Sequence, residues 1–376
     1  MLRRLSTAYR REGRGCSMKE IRRNHNRRVW STGLLLLCLI LLAGCGASET
    51  PVSWFSYHEE ETVSLDAESE EKECTTLILT HSQEEGSSIY EMAEIFKERL
   101  EAVSDGKYQV EIYPANTYGR IAGNYHAVKS GRIEMRIGGN SDSCMDILSW
   151  IPAFTDVEPE QLMEKLQPDS PLYALIQKEC EQDGCRLLGM MSPMYRVLTS
   201  SRKISSVQDF SGLTIRTVER EGDTRFWSQL GAKPTSAYDI DQLYTALQMG
   251  LVDAEENPIE VICSRKFYEY QDYFVETKHR FLLNGFFINE TFWDSLPETD
   301  QGIFEDAVSY ALREGDIYAQ EKQKEYEALI GENMEIVELS EEDHEMIRQT
   351  GGATVKAWLE EIYGTENVQK ILDSLE

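Results

Sequence analysis

The sequence contains none of the short motifs that organise most enzyme sites. No GxSxG, HExxH, GxGxxG or P-loop pattern occurs in its 376 residues, and the six histidines show no metal-ligand spacing. Five cysteines follow Cys45, without a CxxC pair or a Cys/His ligand pattern. These absences argue against a catalytic nucleophile, a metal centre and a cofactor site. We therefore expect no enzyme activity, no bound metal and no cofactor.

The sequence also lacks an excess of basic over acidic residues. The formal net charge is -28, and ten Lys or Arg against two Asp or Glu precede Cys45, which leaves 28 basic and 64 acidic residues from Cys45 onward. This later part has a formal charge near -36. Because nucleic-acid binding depends on Lys and Arg that neutralise phosphates, we expect no nucleic-acid partner.

No apolar run reaches the ~20 residues that a membrane-spanning helix needs. The longest, GLLLLCLILLAG, follows basic residues such as Arg27 and Arg28 and is typical of a secretory signal peptide. It ends in LAGC, where two small residues precede Cys45, and this resembles the lipobox of bacterial lipoproteins. The resemblance implies that Cys45 is lipidated and becomes the mature N-terminus. The alternatives are an ordinary signal peptide and a chance cysteine after a hydrophobic helix.

The N-terminal segments therefore carry a prediction about location. Residues 1–44 are predicted to be a signal peptide, for which Met18 would give a more typical start than Met1. Residues 45–74 are acidic and rich in serine, which predicts a flexible tether without a core of its own. The protein is expected to be extracytoplasmic and anchored to the cell membrane by lipid.

The cysteines leave one question open. Cys180 and Cys185 could form a disulfide in an exported protein, but each also lies where a buried apolar side chain would serve. The number after Cys45 is odd, so at least one thiol stays outside an intramolecular disulfide.

From Thr75 onward, short apolar or alternating runs alternate with amphipathic stretches. TLILTHS, YQVEIYP and IEMRIGG predict strands, whereas SSIYEMAEIFKERLEAVS has the spacing of a helix. The length suggests about two domains. We predict an α/β protein with open, doubly wound sheets in two lobes: residues 75–195 with about 285–320, and 196–284 with about 321–376.

Several segments then occur in an informative order. VEIYPANTYG and AVKSGRIEM precede YRVLTSSRKISSVQDFSGLTIRT, and LGAKPTSAYDIDQLYTALQMGLVDAEENP follows. Together they resemble the extracytoplasmic solute-binding subunits of TRAP transporters, the DctP-like family. The resemblance implies a periplasmic-binding-protein-like fold with a cleft between the lobes and long C-terminal helices.

The same resemblance implies a function. Such a protein closes like a clamp on a small organic acid and delivers it to a membrane permease driven by an ion gradient. We expect it to act as a monomer. A ligand-binding lipoprotein that feeds a membrane sensor fits the same cleft and anchor, so it stays as the alternative.

Arg216 is the main candidate contact. It lies in the apolar, β-branched run LTIRT at a strand end, where ligands of open α/β sheets bind. A guanidinium there can hold a carboxylate through two parallel hydrogen bonds. Composition alone also allows an outward-facing residue or the partner of a structural carboxylate. The resemblance aligns Arg216 with the arginine that forms a bidentate ion pair with the ligand carboxylate.

Four further residues are candidates. The resemblance implies a second ligand contact at Arg196, in MYRVLTS, and a hydrogen bond to the carboxylate from Asn257, in DAEENP. A surface strand charge and a helix cap are the respective alternatives. Glu256 is expected either to orient an arginine or to be solvated. His81 closes the first predicted strand and is a candidate cleft residue, with a structural role as the alternative.

Two segments depart from the family pattern. Tyr118 replaces the usual apolar residue before Gly119, and IPAFTDVEP keeps only the proline and phenylalanine of a longer motif. Because these stretches help to line the cleft in relatives, the sequence does not predict which acid binds.

The lipobox generates a test that is independent of the binding site. Cys45→Ser should abolish lipidation and normal processing, while the exported protein still binds its ligand, because the tether contributes no cleft residue. Mass spectrometry of membrane-extracted wild-type protein measures the outcome. A mature N-terminus other than Cys45, or a Cys45 without lipid, would contradict the lipoprotein prediction.

Overall fold

Strands and helices alternate along most of the chain in the computed structural model, which describes residues 74–119, 121–139 and 143–375. The predicted signal peptide, Cys45 and the tether up to residue 73 lie outside these residues. The strands are β1 (Thr75–Thr80), β2 (Tyr108–Tyr113), β3 (Met135–Gly138), β4 (Cys185–Met190), β5 (Met194–Ser200), β6 (Thr214–Arg216), β7 (Lys233–Thr235), β8 (Ala254–Asn257), β9 (Tyr273–Leu282), β10 (Gly285–Asn289) and β11 (Glu335–Val337).

The helices follow the same alternation until the C-terminal part, which is entirely helical after β11. They are α1 (Ser88–Val103), α2 (Ile121–Lys129), α3 (Ser143–Trp150), α4 (Pro159–Lys165), α5 (Pro171–Gln182), α6 (Glu221–Gln229), α7 (Ile240–Gln248), α8 (Ile259–Ser264), α9 (Glu290–Ser295), α10 (Glu298–Asn333), α11 (Glu341–Ile347), α12 (Ala353–Tyr363) and α13 (Thr365–Asp373).

The strands form two mixed sheets. The first has the order β2-β1-β3-β10-β4, with β1 parallel to β2 and β3 and with β10 antiparallel to both neighbours. The second has the order β11-β9-β5-β8-β6-β7, with β5 antiparallel to β8 and β9. The chain enters the second sheet between β4 and β5 and returns between β9 and β10. The predicted α/β class with open sheets is confirmed.

One face of the first sheet packs on α1 and the start of α10. Leu77 and Leu79 of β1 lie in one cluster with Phe96 of α1 and Phe304 of α10. Met135 and Ile137 of β3 belong to the same cluster. Because successive side chains of a strand point to opposite faces, the remaining residues of β1 and β3 face the other side of the sheet.

Helix α10 connects the two sheets. Its 36 residues span about 54 Å at 1.5 Å per residue. Phe304, near its start, packs on the first sheet, whereas Ile330 packs with Leu243 and Phe274 against the second. One further cluster runs from Leu187 of the first sheet to residues beside the second sheet and on the C-terminal helices. These shared cores connect the two sheets.

Two helix starts bring the carboxyl ends of β1 and β8 opposite each other. Glu260 in α8 accepts hydrogen bonds from Ser88 in α1, from its backbone N–H at 3.2 Å and its Oγ at 2.7 Å. Arg265 also pairs with Glu84 at 3.1 Å. Since α1 follows β1 and α8 follows β8, these contacts join the regions beyond the two strand ends, and we call the space between these ends the gap between the sheets.

The predicted elements agree with the observed ones in most places, with small differences. SVQDF is predicted as a short helix and forms one 3-10 turn, Val207–Phe210. Cys180 and Cys185 are both buried, and no disulfide joins them. In the part of the chain that the structure describes, no helix is long and apolar enough to cross a membrane.

A substitution at Gly352 tests how the C-terminal helices pack on the rest of the protein. It ends a π-helical turn between α11 and α12, and a Cβ there would lie less than 3.0 Å from the Ala153 carbonyl. Both residues are buried, so we expect Gly352→Ala to lower the free energy of unfolding by about 1–3 kcal/mol. The control Gly331→Ala meets no atom within 4 Å and should be neutral or stabilising by up to about 1 kcal/mol. Chemical denaturation measures the free energy of unfolding of both variants. Equal values for the two variants would contradict the close approach of Gly352 to Ala153.

Candidate ligand-binding site

Four arginines are buried in the described part of the chain, each only 4–5% exposed: Arg136, Arg196, Arg216 and Arg280. Burying a guanidinium costs hydration energy that a carboxylate or hydrogen-bond acceptors must compensate. Arg196 and Arg280 each pair with a buried carboxylate. Among the described residues, no carboxylate oxygen lies within 4.0 Å of Arg136 or Arg216.

Glu256 of β8 holds Arg196 of the neighbouring β5. Arg196 Nε donates to Glu256 Oε2 at 2.5 Å, and Nη2 donates to Oε1 at 2.9 Å. Burial opposes ionisation of Glu256, but Arg196 and His279, whose Nε2 lies 3.5 Å from Oε2, hold its pKa well below the usual range. The sequence predicts either a solvated Glu256 or a Glu256 that orients an arginine. In the structure Glu256 is fully buried and has the geometry of an arginine partner.

Asn257 is the last residue of β8, and both the oxygen and the nitrogen of its side-chain amide form hydrogen bonds. Its Oδ1 accepts from Arg196 Nη2 at 3.1 Å, and its Nδ2 donates to Glu255 Oε2 at 2.6 Å. Its side chain does not cap α8, whose N-cap residue is Pro258. Thr199 donates to the other oxygen of Glu255 at 2.7 Å. Burial raises the pKa of Glu255 to about 7, so this carboxyl group titrates near neutral pH.

Arg216 ends β6, in register with Glu255 of β8. Its Nε donates to the Tyr238 carbonyl at 2.9 Å. Its Nη1 is buried and has no hydrogen-bond partner among the described residues, and the same holds for Thr217 Oγ1. Burial lowers the pKa of Arg216 from a very high ordinary value, so the group stays protonated at neutral pH. The outer edge of this guanidinium is therefore available to an anion.

His81 lies directly after β1 and is 2% exposed. Its Nδ1 accepts from the Gln83 backbone N–H at 3.3 Å, which places the ring proton on Nε2. Burial lowers the pKa of His81 to about 4, so the ring is neutral. In the described part of the chain neither His81 Nε2 nor Thr80 Oγ1 has a partner. The carboxyl end of β1 thus carries two unmatched polar groups.

A second buried ion pair, between Arg280 and Asp223, is not predicted from the sequence. Arg280 of β9 lies directly across the ladder from Arg196, and its Nη1 donates to both oxygens of Asp223 at 2.7 and 2.5 Å. Its guanidinium also lies 4.6 Å from the centre of the Trp150 ring. Two arginines can occupy facing positions because each has its own carboxylate. The available signal was weak, because the polar run from Glu276 to His279 precedes Arg280 in the same strand.

A separate surface pocket of about 280 Å³ does not coincide with these groups. Tyr195, Lys278, His344 and Arg348 are among its lining residues. None of the five predicted ligand contacts lines this pocket. The candidate site is therefore assigned from the buried arginines at the strand ends and not from this pocket.

Glu255 makes the stability of the protein depend on pH. Its pKa is about 7 in the folded protein against an ordinary value of 4.5, so the stability that its protonated form contributes is lost as the pH rises between these values. In Glu255→Gln the amide oxygen accepts from Asn257 Nδ2 and the amide nitrogen donates to the Thr199 hydroxyl, so both contacts remain without the charge. We expect the variant to be more stable than wild type by about 2–3 kcal/mol at pH 8 and similar to wild type at pH 4.5. Urea denaturation at both pH values measures this, and a difference that does not change with pH would contradict it.

Comparison with known proteins agrees with the α/β fold. Residues 79–361 match the family model described as bacterial extracellular solute-binding protein, family 7. A solute-binding protein of Roseobacter denitrificans is 29% identical over 245 residues, which cover 63% of this chain and 73% of that protein. The sialic acid-binding periplasmic protein SiaP of Vibrio cholerae is 26% identical over 265 residues, 69% of this chain and 80% of that protein.

A solved structure extends the similarity to the fold. A TRAP periplasmic solute-binding protein from Desulfovibrio desulfuricans, with bound sn-glycerol-3-phosphate, superposes with a TM-score of 0.73 at 25% identity. The match covers 80% of this chain and 96% of that one. Family members are solute-binding proteins of transport systems, not enzymes. The family model spans well over half of the sequence, and the chain therefore belongs to the DctP family of bacterial extracellular solute-binding proteins.

Proposed function

We propose that this protein captures a small organic acid outside the cytoplasm and delivers it to a TRAP-type permease. One observation carries the proposal: the buried guanidinium of Arg216 lies at a strand end without a carboxylate partner among the described residues. A ligand carboxylate supplies the missing anion. The unmatched Nη1 then gains a charge-assisted hydrogen bond.

The outer edge of Arg216 suits a carboxylate geometrically. Because Nε is bound to the Tyr238 carbonyl, the two terminal nitrogens are left to donate in parallel to two oxygens. Arg196 uses Nε and Nη2 on Glu256 and Asn257, and its Nη1 donates toward the same ligand. Glu256 thus orients Arg196, as one of its two expected roles requires.

Asn257 and His81 complete the proposed contacts. Asn257 Nδ2 carries a second N–H besides the one that it donates to Glu255, and this N–H reaches the ligand carboxylate. His81 Nε2–H, which has no partner among the described residues, donates to a polar group of the ligand from the opposite sheet. Each of the five residues then contributes a donor or orients one.

Electrostatics makes the site selective for acids. The chain from Cys45 onward carries a formal charge near -36 and repels anions at long range. An acid can bind only where buried cations reverse the local field. Arg216, which has no carboxylate partner among the described residues, is the proposed source of this field.

The ligands of relatives support this class of cargo. The Vibrio cholerae relative is named for sialic acid, and the Desulfovibrio desulfuricans structure holds sn-glycerol-3-phosphate. Each of these ligands carries an anionic group. A small organic anion is therefore the proposed cargo class.

Transport also requires movement and attachment. We propose that the two lobes, residues 75–195 with about 285–320 and 196–284 with about 321–376, close on the acid as a clamp. The protein is proposed to act as a monomer, attached to the membrane through lipid on Cys45. Copurification of permease subunits supports transport, whereas copurification of a membrane receptor would support the sensory alternative.

Arg216 gives the direct test of the proposed site. Arg216→Ala should weaken binding of the acid by roughly 30-fold to several thousand-fold, because loss of one partner of a buried charge pair costs about 2–5 kcal/mol. Arg216→Lys should recover only part of the loss, since an ammonium lacks the planar fork. Calorimetric titration with the acid that most raises the melting temperature measures the dissociation constants.

Arg202→Ala is the matched control. It removes the same charge from an arginine that is half exposed and pairs with Asp253 at 3.5 Å, at the other end of β8. We expect its affinity to stay within about 2-fold of wild type, because exposed ion pairs contribute little. Near-wild-type affinity in folded Arg216→Ala would contradict the carboxylate role of Arg216.

A further inference from the structure

Glu255 is a fully buried carboxyl group among the residues that are proposed to bind the acid. It lies in register with Arg216 of β6 and with Thr199 of β5, so the three side chains leave the same face of the sheet. Asn257, two residues further along β8, faces the same side and donates from Nδ2 to Glu255 Oε2 at 2.6 Å. A titratable group therefore lies beside two of the proposed ligand contacts, Arg216 and Asn257.

The hydrogen-bond partners of Glu255 accommodate an ionised carboxylate. Asn257 Nδ2 donates to one of its oxygens, and Thr199 Oγ1 donates to the other at 2.7 Å. Both donors are neutral groups, and they compensate only in part for the loss of hydration. Burial therefore raises the pKa of Glu255 to about 7.

The same surroundings also accommodate a protonated Glu255. Gln271, just before β9, is buried, and its Oε1 lies 3.3 Å from Thr199 Oγ1. Its Nε2 donates to the Tyr270 carbonyl at 2.9 Å, so Oε1 is the side of the amide that faces Thr199. A proton on Glu255 Oε1 is then donated to Thr199 Oγ1, while the Thr199 hydroxyl donates to Gln271. Both protonation states thus have a hydrogen-bond partner for each polar group of this chain.

The charges around Glu255 come from three strands. Arg196 of β5 and Glu256 of β8 form an ion pair, so their effects on Glu255 oppose each other. Burial lowers the pKa of His279 on β9, so that ring is neutral beside Glu256. Arg216 of β6 attracts an ionised Glu255 across the ladder. Arg216 is therefore the cation that most favours the ionised form in the absence of ligand.

A bound carboxylate changes this balance in one direction. It interacts with the charge of Arg216 that otherwise stabilises an ionised Glu255, and it brings a second negative charge close to the same carboxyl group. Both effects favour the protonated form of Glu255. Because coupling between two binding events is reciprocal, protonation of Glu255 favours binding of the acid to the same extent.

We propose that Glu255 is a positioning residue that binds a proton together with the acid, so that the site takes up an organic anion and a proton as a pair. This inference rests on the proposed function, in which Arg216 and Asn257 bind the carboxylate. A protonated Glu255 still holds Asn257 through Nδ2, and it leaves the charge of Arg216 to the ligand. Affinity falls as the pH rises through the neutral range, since an ionised Glu255 must be protonated before the acid binds tightly.

Calorimetric titration at pH 6 and pH 8.5 tests this coupling. The probe is whichever of D-gluconate, pyruvate and benzoate most raises the melting temperature, because each is a monocarboxylate that is ionised at both pH values. Wild-type protein should bind the probe at least about 5-fold more tightly at pH 6, since a nearby like charge raises the pKa of a carboxyl group by about one unit or more. At pH 7.5, titrations in buffers of different ionisation enthalpy should show uptake of roughly half a proton per bound acid.

Two variants assign the coupling to this hydrogen-bond chain. Glu255→Gln resembles the protonated form, so it should bind the probe equally at both pH values, without proton uptake, and at pH 8.5 at least about 5-fold more tightly than wild type. Gln271→Leu removes the acceptor of the Thr199 hydroxyl and disfavours the protonated form. The pH at which affinity begins to fall should therefore be lower by roughly one pH unit.

Glu335→Gln is the matched control. It removes a carboxylate from β11 of the same sheet, where the exposed side chain pairs with Lys203 at 3.2 Å. This variant should keep the pH dependence and the proton uptake of wild type. Melting temperatures at both pH values confirm that each variant is folded.

The outcomes separate the two proposals. Equal affinity of wild-type protein at both pH values, or binding without proton uptake, overturns the inference and leaves the Arg216 site intact. A pH dependence that persists in Glu255→Gln also overturns it, and would assign the proton to another group such as His81. Binding of none of the acids at either pH contradicts the proposed function itself.

Discussion

The cost of burying a charged guanidinium governs the architecture around the site. Removing such a group from water costs several kcal/mol unless an anion or good hydrogen-bond acceptors replace the lost hydration. Arg196 and Arg280 meet this requirement through Glu256 and Asp223. Arg216 does so only in part, through the Tyr238 carbonyl. The proposed anionic ligand would offset the remaining deficit, although the protein as a whole is strongly acidic.

The residues around the site keep the charge of Arg216 only partly compensated. Glu256 is held by Arg196 and His279, so it is not released to neutralise Arg216. Glu255, the ladder neighbour of Arg216, is bound by Thr199 and Asn257, and burial raises its pKa to about 7. Helix α10 and the core shared between the sheets fix these strands. Glu255 and Glu256 of β8 are thus held by other partners, which leaves Arg216 to the proposed ligand.

The sequence predicted the elements better than the contacts between them. An arginine inside the β-branched run LTIRT is visible because its polarity breaks the pattern of a buried strand. The same pattern occurs in IEMRIGG, but no family motif drew attention to Arg136. The pairing of Arg196 with Glu256 and of Arg280 with Asp223 joins residues 60 and 57 positions apart. Such pairs follow from strand register and helix packing, which local periodicity does not encode.

The most direct measurement is a crystal structure of the protein with the organic acid that most raises its melting temperature. The account predicts a ligand carboxylate in the gap between the sheets, with two oxygens within about 3.2 Å of the terminal nitrogens of Arg216. An acid bound elsewhere, or an Arg216 paired with a protein carboxylate while the acid is bound, would contradict it.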